Sequence, residues 1–336
     1  MTDSGLSRTV SLCNALVFTA AAALCLAWSA TTGAVTVSGL YSVDVPVEGS
    51  SASNLAAGYA EGLSRVLVRV SGTRDVLSMD GVDGILSEAE SLLLSYQVRR
   101  QDGESRLQMS FGAVGVNRAL AAIGAPVWGA NRPLTLAWIA VQDGGARNLL
   151  TSGAEDSAPT DAAGGADEWR RAFARAAAAR GLPVAFPPRS ASEDRVLLSD
   201  LWGQFIGRIQ EASGDLSHDV LALMRVSRSG GQWRAGWVFE GMGMEPSEQS
   251  VNADTPDALA EAVINQWAEQ YARRYAVAAE DVDGAPRVDI MVEGVSSIAD
   301  YGQVTRALAG FTPVTSVGAS RVRGDRLTVQ VTFNGE

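Results

Sequence analysis

Apolar and polar positions alternate along most of the chain with one of two periods, and the switches between them divide it into three blocks. In the first, "VTVSGLYSVDVPV" alternates as an edge-type strand does. "SASNLAAGYAEGLSRVLVRVSG" then sets Leu55, Tyr59, Leu63, Val66 and Val70 at helical spacing and stops at Gly72. "SEAESLLLSY" predicts a second helix. It leads into a hairpin with arms "YQVRRQ" and "SRLQMSF" turning at Asp102-Gly103. Tyr96 and Val98 on one arm, and Leu107, Met109 and Phe111 on the other, are expected on buried faces. "AVGVNRALAAIG" closes the block as a helix stopped by Gly124 and Pro126.

The second block opens on "PLTLAWIAV", apolar at successive positions, as a central strand covered on both faces must be. "TSGAEDSAPTDAAGGA" has too little apolar content to pack and reads as a mobile surface insertion. Next come a helix over "DEWRRAFARAAAARG", a strand at "LPVAFP" and a helix over "SDLWGQFIGRIQEASG" with Ser199 as its N-cap. "DVLALMRVSRS" and "QWRAGWVFEG" form a hairpin across Gly230-Gly231, with Trp233, Ala235, Trp237 and Phe239 on one face. The sequence allows a further short strand around "SEQSV". A long helix over "TPDALAEAVINQWAEQYARRYAV" has Thr255 as N-cap and Pro256 in its first turn.

The third block is a strand at "RVDIMVEGV", a helix over "SSIADYGQVTRALAG", and two strands hinged at Gly324-Asp325. Leu327, Val329, Val331 and Phe333 are expected to face inward. Strand, helix, strand, strand is half of a ferredoxin-like sandwich. The expected fold class is therefore multi-module α+β and α/β: an N-terminal α+β module at 35–125, a connector at 126–132, an α/β module at 133–277 with a flexible insertion at 151–166, and a C-terminal βαββ module at 286–336.

The first 34 residues read differently. A single Arg8 precedes the apolar run "ALVFTAAAALCLAWSA" and then "TTGAVTV", the pattern of a secretory signal peptide at 1–34, cleaved after Ala34. The alternative is an inner-membrane anchor formed by residues 15–30. Leu12 and Leu24 stand before Cys13 and Cys25, where a lipoprotein would place a small residue. Both cysteines lie in this segment, so the mature chain is expected to contain none, and to have no transmembrane span.

Composition narrows the chemistry further. The net charge of -11 leaves no basic footprint for nucleic acid. All 27 basic residues are Arg. Schiff-base chemistry, a pyridoxal phosphate site and a P-loop each need a Lys. A single histidine, His218, excludes two-His zinc and copper sites within one chain. No cofactor and no metal is expected, and no residue is assigned a catalytic role.

Three groups of residues invite a sharper reading. "GDLSHDV" crowds Asp215, Ser217, His218 and Asp219, but a triad needs members converging from separate elements, so a polar turn is expected. Asp200, Glu240, Glu245 and Asp257 lie near strand ends as candidates for a paired-carboxylate hydrolase, and "EDVDG" at 280–284 is only a fragment of a calcium loop. Trp169, Trp202, Trp233, Trp237 and Trp267 carry core spacing. Trp128 has no periodic partner. It stands between Pro126 and Pro133, where it and Arg132 are expected to wedge between the first two modules, with Trp128 buried.

"VRVSGTRDVL", "PVWGANRPLTLAWIAVQDGG" and "DVLALMRV...QWRAGWVFEG" resemble the exported Gram-negative family catalogued as domain of unknown function 2066. The resemblance implies a periplasmic or envelope-associated protein and brings no catalytic residues with it. The element order of the second block also resembles the N-terminal domain of the TolB translocation protein, a likeness of fold alone. The expected function is a non-catalytic interaction or assembly module whose partner is an envelope protein or cell-wall component. The alternative is a carboxylate-based hydrolase or glycan-binding protein of the cell wall, using the acids with Trp128, Trp202 and Trp237.

Overall fold

The computed structural model describes residues 35–101, 103–153, 164–244, 247–277, 287–295, 297–311, 314–323 and 326–333. The expected signal segment, 154–163 of the insertion, Asp102, Glu245, the stretch at 280–284, Gly324-Asp325 and the side chain of Phe333 lie outside the described residues.

The first alternating run forms two strands rather than one. Gly39 adopts φ +73°, and the Ser42 N–H donates back to its carbonyl (3.1 Å), a turn that costs little only without a Cβ. β1 (Val35–Thr36) ends before this turn and β2 (Ser42–Val47) begins after it. α1 (Ala52–Ser71) follows as the spacing predicts. Ser51 Oγ accepts from the Asn54 N–H, Gly72 at φ +77° ends the helix, and Tyr59, Leu63, Val66 and Val70 are buried.

The helix expected over "SEAESLLLSY" does not form as one piece. α2 (Val82–Ser87) and a 3₁₀ turn at Ala89–Leu92 come first, and Leu93 already opens β3 (Leu93–Gln101). Strand pairing outcompetes the helix there: Leu93 sits opposite Phe111, and Ser95 opposite Ser110, of β4 (Glu104–Phe111), with a bulge between them. α3 (Ala113–Ala122) completes this part. The sheet order is β2-β4-β3, all antiparallel.

β5 (Asn131–Arg132) pairs with β1, Val35 opposite Arg132. β6 (Thr135–Asp143) is buried from Thr135 through Val141, as its continuous apolar run predicts. It pairs antiparallel with β7 (Ala146–Leu149). α4 (Gly164–Arg180) then leads to the short β8 (Val184–Ala185), which lies parallel to β6.

The single helix expected over "SDLWGQFIGRIQEASG" is two. Asp194, not Ser199, caps α5 (Arg195–Trp202), its Oδ1 accepting from the N–H groups of Val196 and Leu197. Gln204 turns into the left-handed region at φ +55°, and α6 (Ile206–Ala212) restarts beyond it. Leu201 and Ile209, one on each side of the break, pack in the same core.

β9 (Val220–Ser229) runs parallel to β6, and β10 (Gln232–Glu240) and β11 (Gln249–Ala253) extend the sheet antiparallel. The order is β11-β10-β9-β6-β7, with β8 sharing the β7 side of β6. α7 (Pro256–Tyr275) has the expected Thr255 cap, its Oγ1 accepting from the Ala258 N–H.

The alternation of β6 distributes its side chains to two cores. Ala137, Ile139 and Val141 join Trp233, Ala235, Trp237 and Phe239 of β10 beneath α4 and α7. Leu136, Trp138 and Ala140 join Leu201 and Ile209 on the other face. Tyr271 of α7 shares a hydrogen bond with Thr135 (3.0 Å), and burial pushes its phenol well above the ordinary range.

β12 (Arg287–Glu293), α8 (Ile298–Ala309), β13 (Val314–Arg323) and β14 (Arg326–Phe333) follow, with Ser297 and Asp300 closing a capping box on α8. Leu327, Val329 and Val331 are buried as expected. The order β12-β14-β13 repeats that of β2, β3 and β4, with the last strand between the first two. Among the described residues no helix is long and apolar enough to cross a membrane.

Candidate functional site: a buried joint and an open sheet edge

Trp128 is fully buried, as its bracketing prolines suggest, and packs in the same core as α7. Its N–H donates to the Val70 carbonyl in the last turn of α1 (2.7 Å), and neighbouring Val127 exchanges two backbone hydrogen bonds with Val277 (3.0 Å each). The stretch expected to be a connector is thus tied to both sides by backbone pairing.

Arg132 is also fully buried, and backbone carbonyls accept from all of its donor nitrogens. Nε donates to Gly129 (3.1 Å), Nη1 to Arg180 (2.8 Å) and Gly181 (3.1 Å), and Nη2 to Arg69 (2.7 Å) and Trp128 (3.1 Å). The guanidinium lies over the Trp128 ring, 4.1 Å from its centroid.

No carboxylate stands among these partners. The explanation is in the helices: Arg69 belongs to the last turn of α1 and Arg180 ends α4, so one cation meets the unsatisfied carbonyls and negative dipole ends of both. Burial, then Arg69 and Arg180 nearby, pushes the Arg132 guanidinium down to about 9, which still leaves it charged at neutral pH. Arg180 is built into the same joint, donating to Asn265 Oδ1 and to the Gly72 carbonyl (2.6 Å each). These polar groups hold structure.

"GDLSHDV" is a turn. His218 Nδ1 bonds to the Leu216 carbonyl (2.7 Å), Asp219 Oδ2 accepts from the Leu134 N–H (2.7 Å), and Asp215 and Ser217 are exposed. The described candidate acids each have a partner: Asp200 pairs with Arg208 (3.3 Å), Glu240 accepts from Gln210 (2.8 Å), and Asp257 pairs with Arg175. Among the described residues no group of three or more His, Cys, Asp or Glu is placed to hold a metal ion. Of the three tryptophans expected in a glycan platform, Trp128 and Trp237 lie wholly inside the core. Trp202 is half-buried beneath Arg147, whose guanidinium lies 4.3 Å from its ring.

The surface feature that stands out is the edge formed by β3. Tyr96 and Val98, expected to be buried, are 53 % and 39 % exposed, and Leu94 and Val114 are 74 % exposed each. The cause is where α1 sits. Gly58 and Gly62 let it lie close on β2 and β4, where added Cβ atoms would meet Val47 and Leu107 or Met109 and Val43. One helix pressed against that seam leaves β3 uncovered, apart from the edge-to-face contact of Tyr96 with Tyr59 (centroids 5.4 Å apart).

The two edges of this sheet differ. β2 is six residues long and contains Pro46, and Arg69 Nη1 donates to its Ser42 carbonyl (2.7 Å). β3 is nine residues long and has no Pro, and among the described residues no strand pairs with its outer side. Sequence reasoning missed this surface, although one signal was there: Leu92, Leu93, Leu94, Tyr96 and Val98 hold more apolar surface than one covering helix can take.

Residues 34–129, which include this sheet and its open edge, match the family model described as domain of unknown function 8605. No curated protein and no solved structure matches the chain.

Proposed function

We propose that the protein is an exported, periplasmic or envelope-associated interaction module that acts without catalysis and receives its partner along β3. The observation that carries this reading is the exposure of Leu94, Tyr96 and Val98 along a nine-residue edge strand whose outer side pairs with no strand among the described residues. An edge strand with open backbone groups and apolar side chains is a template for adding a strand, and natural sheets protect such edges unless they are used.

Other features support the same reading. The resemblance to the exported family 2066 fits an envelope setting. The β11-β10-β9-β6 sheet with helices on both faces fits the likeness to the TolB N-terminal domain, and the β12-β14-β13 order fits half of a ferredoxin-like sandwich.

Capture from envelope extract tests the proposal, with the wild-type chain and a Leu94→Asp, Val98→Asp variant as baits. The wild type should retain a defined component that the variant loses, with no sugar released from peptidoglycan sacculi. Equal retention by both baits, or sugar release abolished by changing Asp200 or Glu240, would replace this reading with another site or with the hydrolase.

A further inference from the structure

The chain that leads into β3 is acidic. Asp75, Asp80, Asp83, Glu88 and Glu90 follow one another, and no basic residue stands between Arg74 and Arg99. All of these acids are exposed, and none forms an ion pair among the described residues. The last of them reaches the edge itself. Glu90 lies in the 3₁₀ turn that ends where β3 begins. Burial, the neighbouring Tyr96 and the Glu90 charge together raise the Tyr59 phenol, so Glu90 stands beside the Tyr59–Tyr96 ring pair. Read from its start, the edge is acidic, then apolar at Leu94, Tyr96 and Val98, then basic at Arg99 and Arg100.

We infer that the occupant of this edge is an extended segment of another protein that adds antiparallel to β3, apolar at alternate positions and carrying Lys or Arg at its C-terminal end. Both existing pairings of this sheet are antiparallel, the arrangement with the more stable ladder. Antiparallel addition brings the C-terminal end of the segment to the start of β3, beside Glu88 and Glu90. Its apolar side chains then lie against Tyr96 and Val98, and its polar ones beside Ser95 and Gln97. Arg99 and Arg100 at the far end exclude a segment that is basic along its whole length. A net charge of -11 also draws a basic partner toward the chain. A second copy does not fit: self-pairing about Tyr96 sets Arg99 and Arg100 opposite Leu93 and Leu92, and Glu90 and Glu88 opposite the acidic Asp102 and Glu104.

This inference rests on the reading of β3 as the interaction surface and names the chemistry of its occupant. Fluorescence anisotropy tests it, with the full chain titrated into short dye-labelled peptides of alternating Val and Thr. One peptide ends in a C-terminal Lys pair, one in a Glu pair, and one carries the Lys pair at its N-terminal end. The C-terminal Lys peptide should bind most tightly. Glu88→Gln with Glu90→Gln should weaken it about fivefold or more, and raised salt should shrink that difference. These side chains are exposed, so the substitutions leave the core intact.

No binding of the C-terminal Lys peptide, equal binding of the Glu peptide, tighter binding of the N-terminal Lys peptide, or indifference to the Glu88 and Glu90 changes would each overturn the inference. An envelope component still captured through Leu94 and Val98 in any of those cases would leave the interaction reading in place. Peptide binding unaffected by Leu94→Asp with Val98→Asp would move the site off β3 and overturn both.

Discussion

Replacing Arg132 by Met is expected to cost about 3–5 kcal/mol of unfolding free energy, a large share of a typical domain's stability. Met retains much of the side-chain volume, so packing against Trp128 changes little. What disappears are the donors that satisfy the carbonyls of Gly129, Arg180, Gly181, Arg69 and Trp128. The site is closed to solvent, so water cannot replace them without opening the joint. The ends of α1 and α4 would also lose the cation that faces their dipoles. Arg132→Lys should fall between, because an ammonium keeps the charge but reaches fewer acceptors. Urea unfolding followed by tryptophan fluorescence reads the difference, and a loss below about 1 kcal/mol for Met would contradict this account of the joint.

Gly72→Val is expected to be of similar severity for a different reason. Gly72 sits at φ +77°, which costs a residue bearing a Cβ roughly 1–2 kcal/mol. Its Cβ would lie 2.4 Å from the Ala272 Cβ and 2.9 Å from Trp128 Cε3, and neither atom is the free end of a flexible chain. Separating α1 from α7 to admit it adds about 1–3 kcal/mol of overpacking, for a total of about 2–5 kcal/mol. Gly144→Ala is the control. Gly144 also has positive φ, but nothing lies within 4 Å of a Cβ there, so only the backbone term should appear. Because Gly72 and Arg132 both touch Trp128, the double variant should lose less than the sum of the two.

The central sheet was legible because its signals are local. β6 shows continuous apolar residues, β10 alternates Trp233, Ala235, Trp237 and Phe239, and α7 begins with Thr255 and Pro256. Trp128 could be placed in the interior from its bracketing prolines and its lack of a periodic partner. The departures have long-range causes. Tyr96 and Val98 alternate as buried residues do, but whether a helix covers them depends on the order β2-β4-β3 and on the close seat that Gly58 and Gly62 give α1. The same glycines read along the helix only as weak positions.

Arg132 shows the same limit. Its interior position could be anticipated, but its acceptors could not. They lie at the ends of helices 48 and 63 residues away in the chain. Gln204 is another case, since a non-glycine residue in the left-handed region carries no sequence mark; the N-cap at Asp194 rather than Ser199 is set separately, by its side chain accepting from Val196 and Leu197. The open edge was hidden by the assumption that alternation implies burial on both arms of a hairpin. A sheet half covered by one close-packed helix breaks that assumption, and here the uncovered half is the candidate site.

The most direct test of that assignment is site-specific photo-cross-linking in living cells, with the probe placed at Leu94, at Val98 or, as a control, at exposed Ser250 on the opposite-edge strand β11 of the central sheet. Discrete adducts from positions 94 and 98, and none from 250, are the predicted result. Adducts only from 250, or none from the β3 positions in cells that carry the folded protein, would contradict the claim that β3 is where this protein meets its partner.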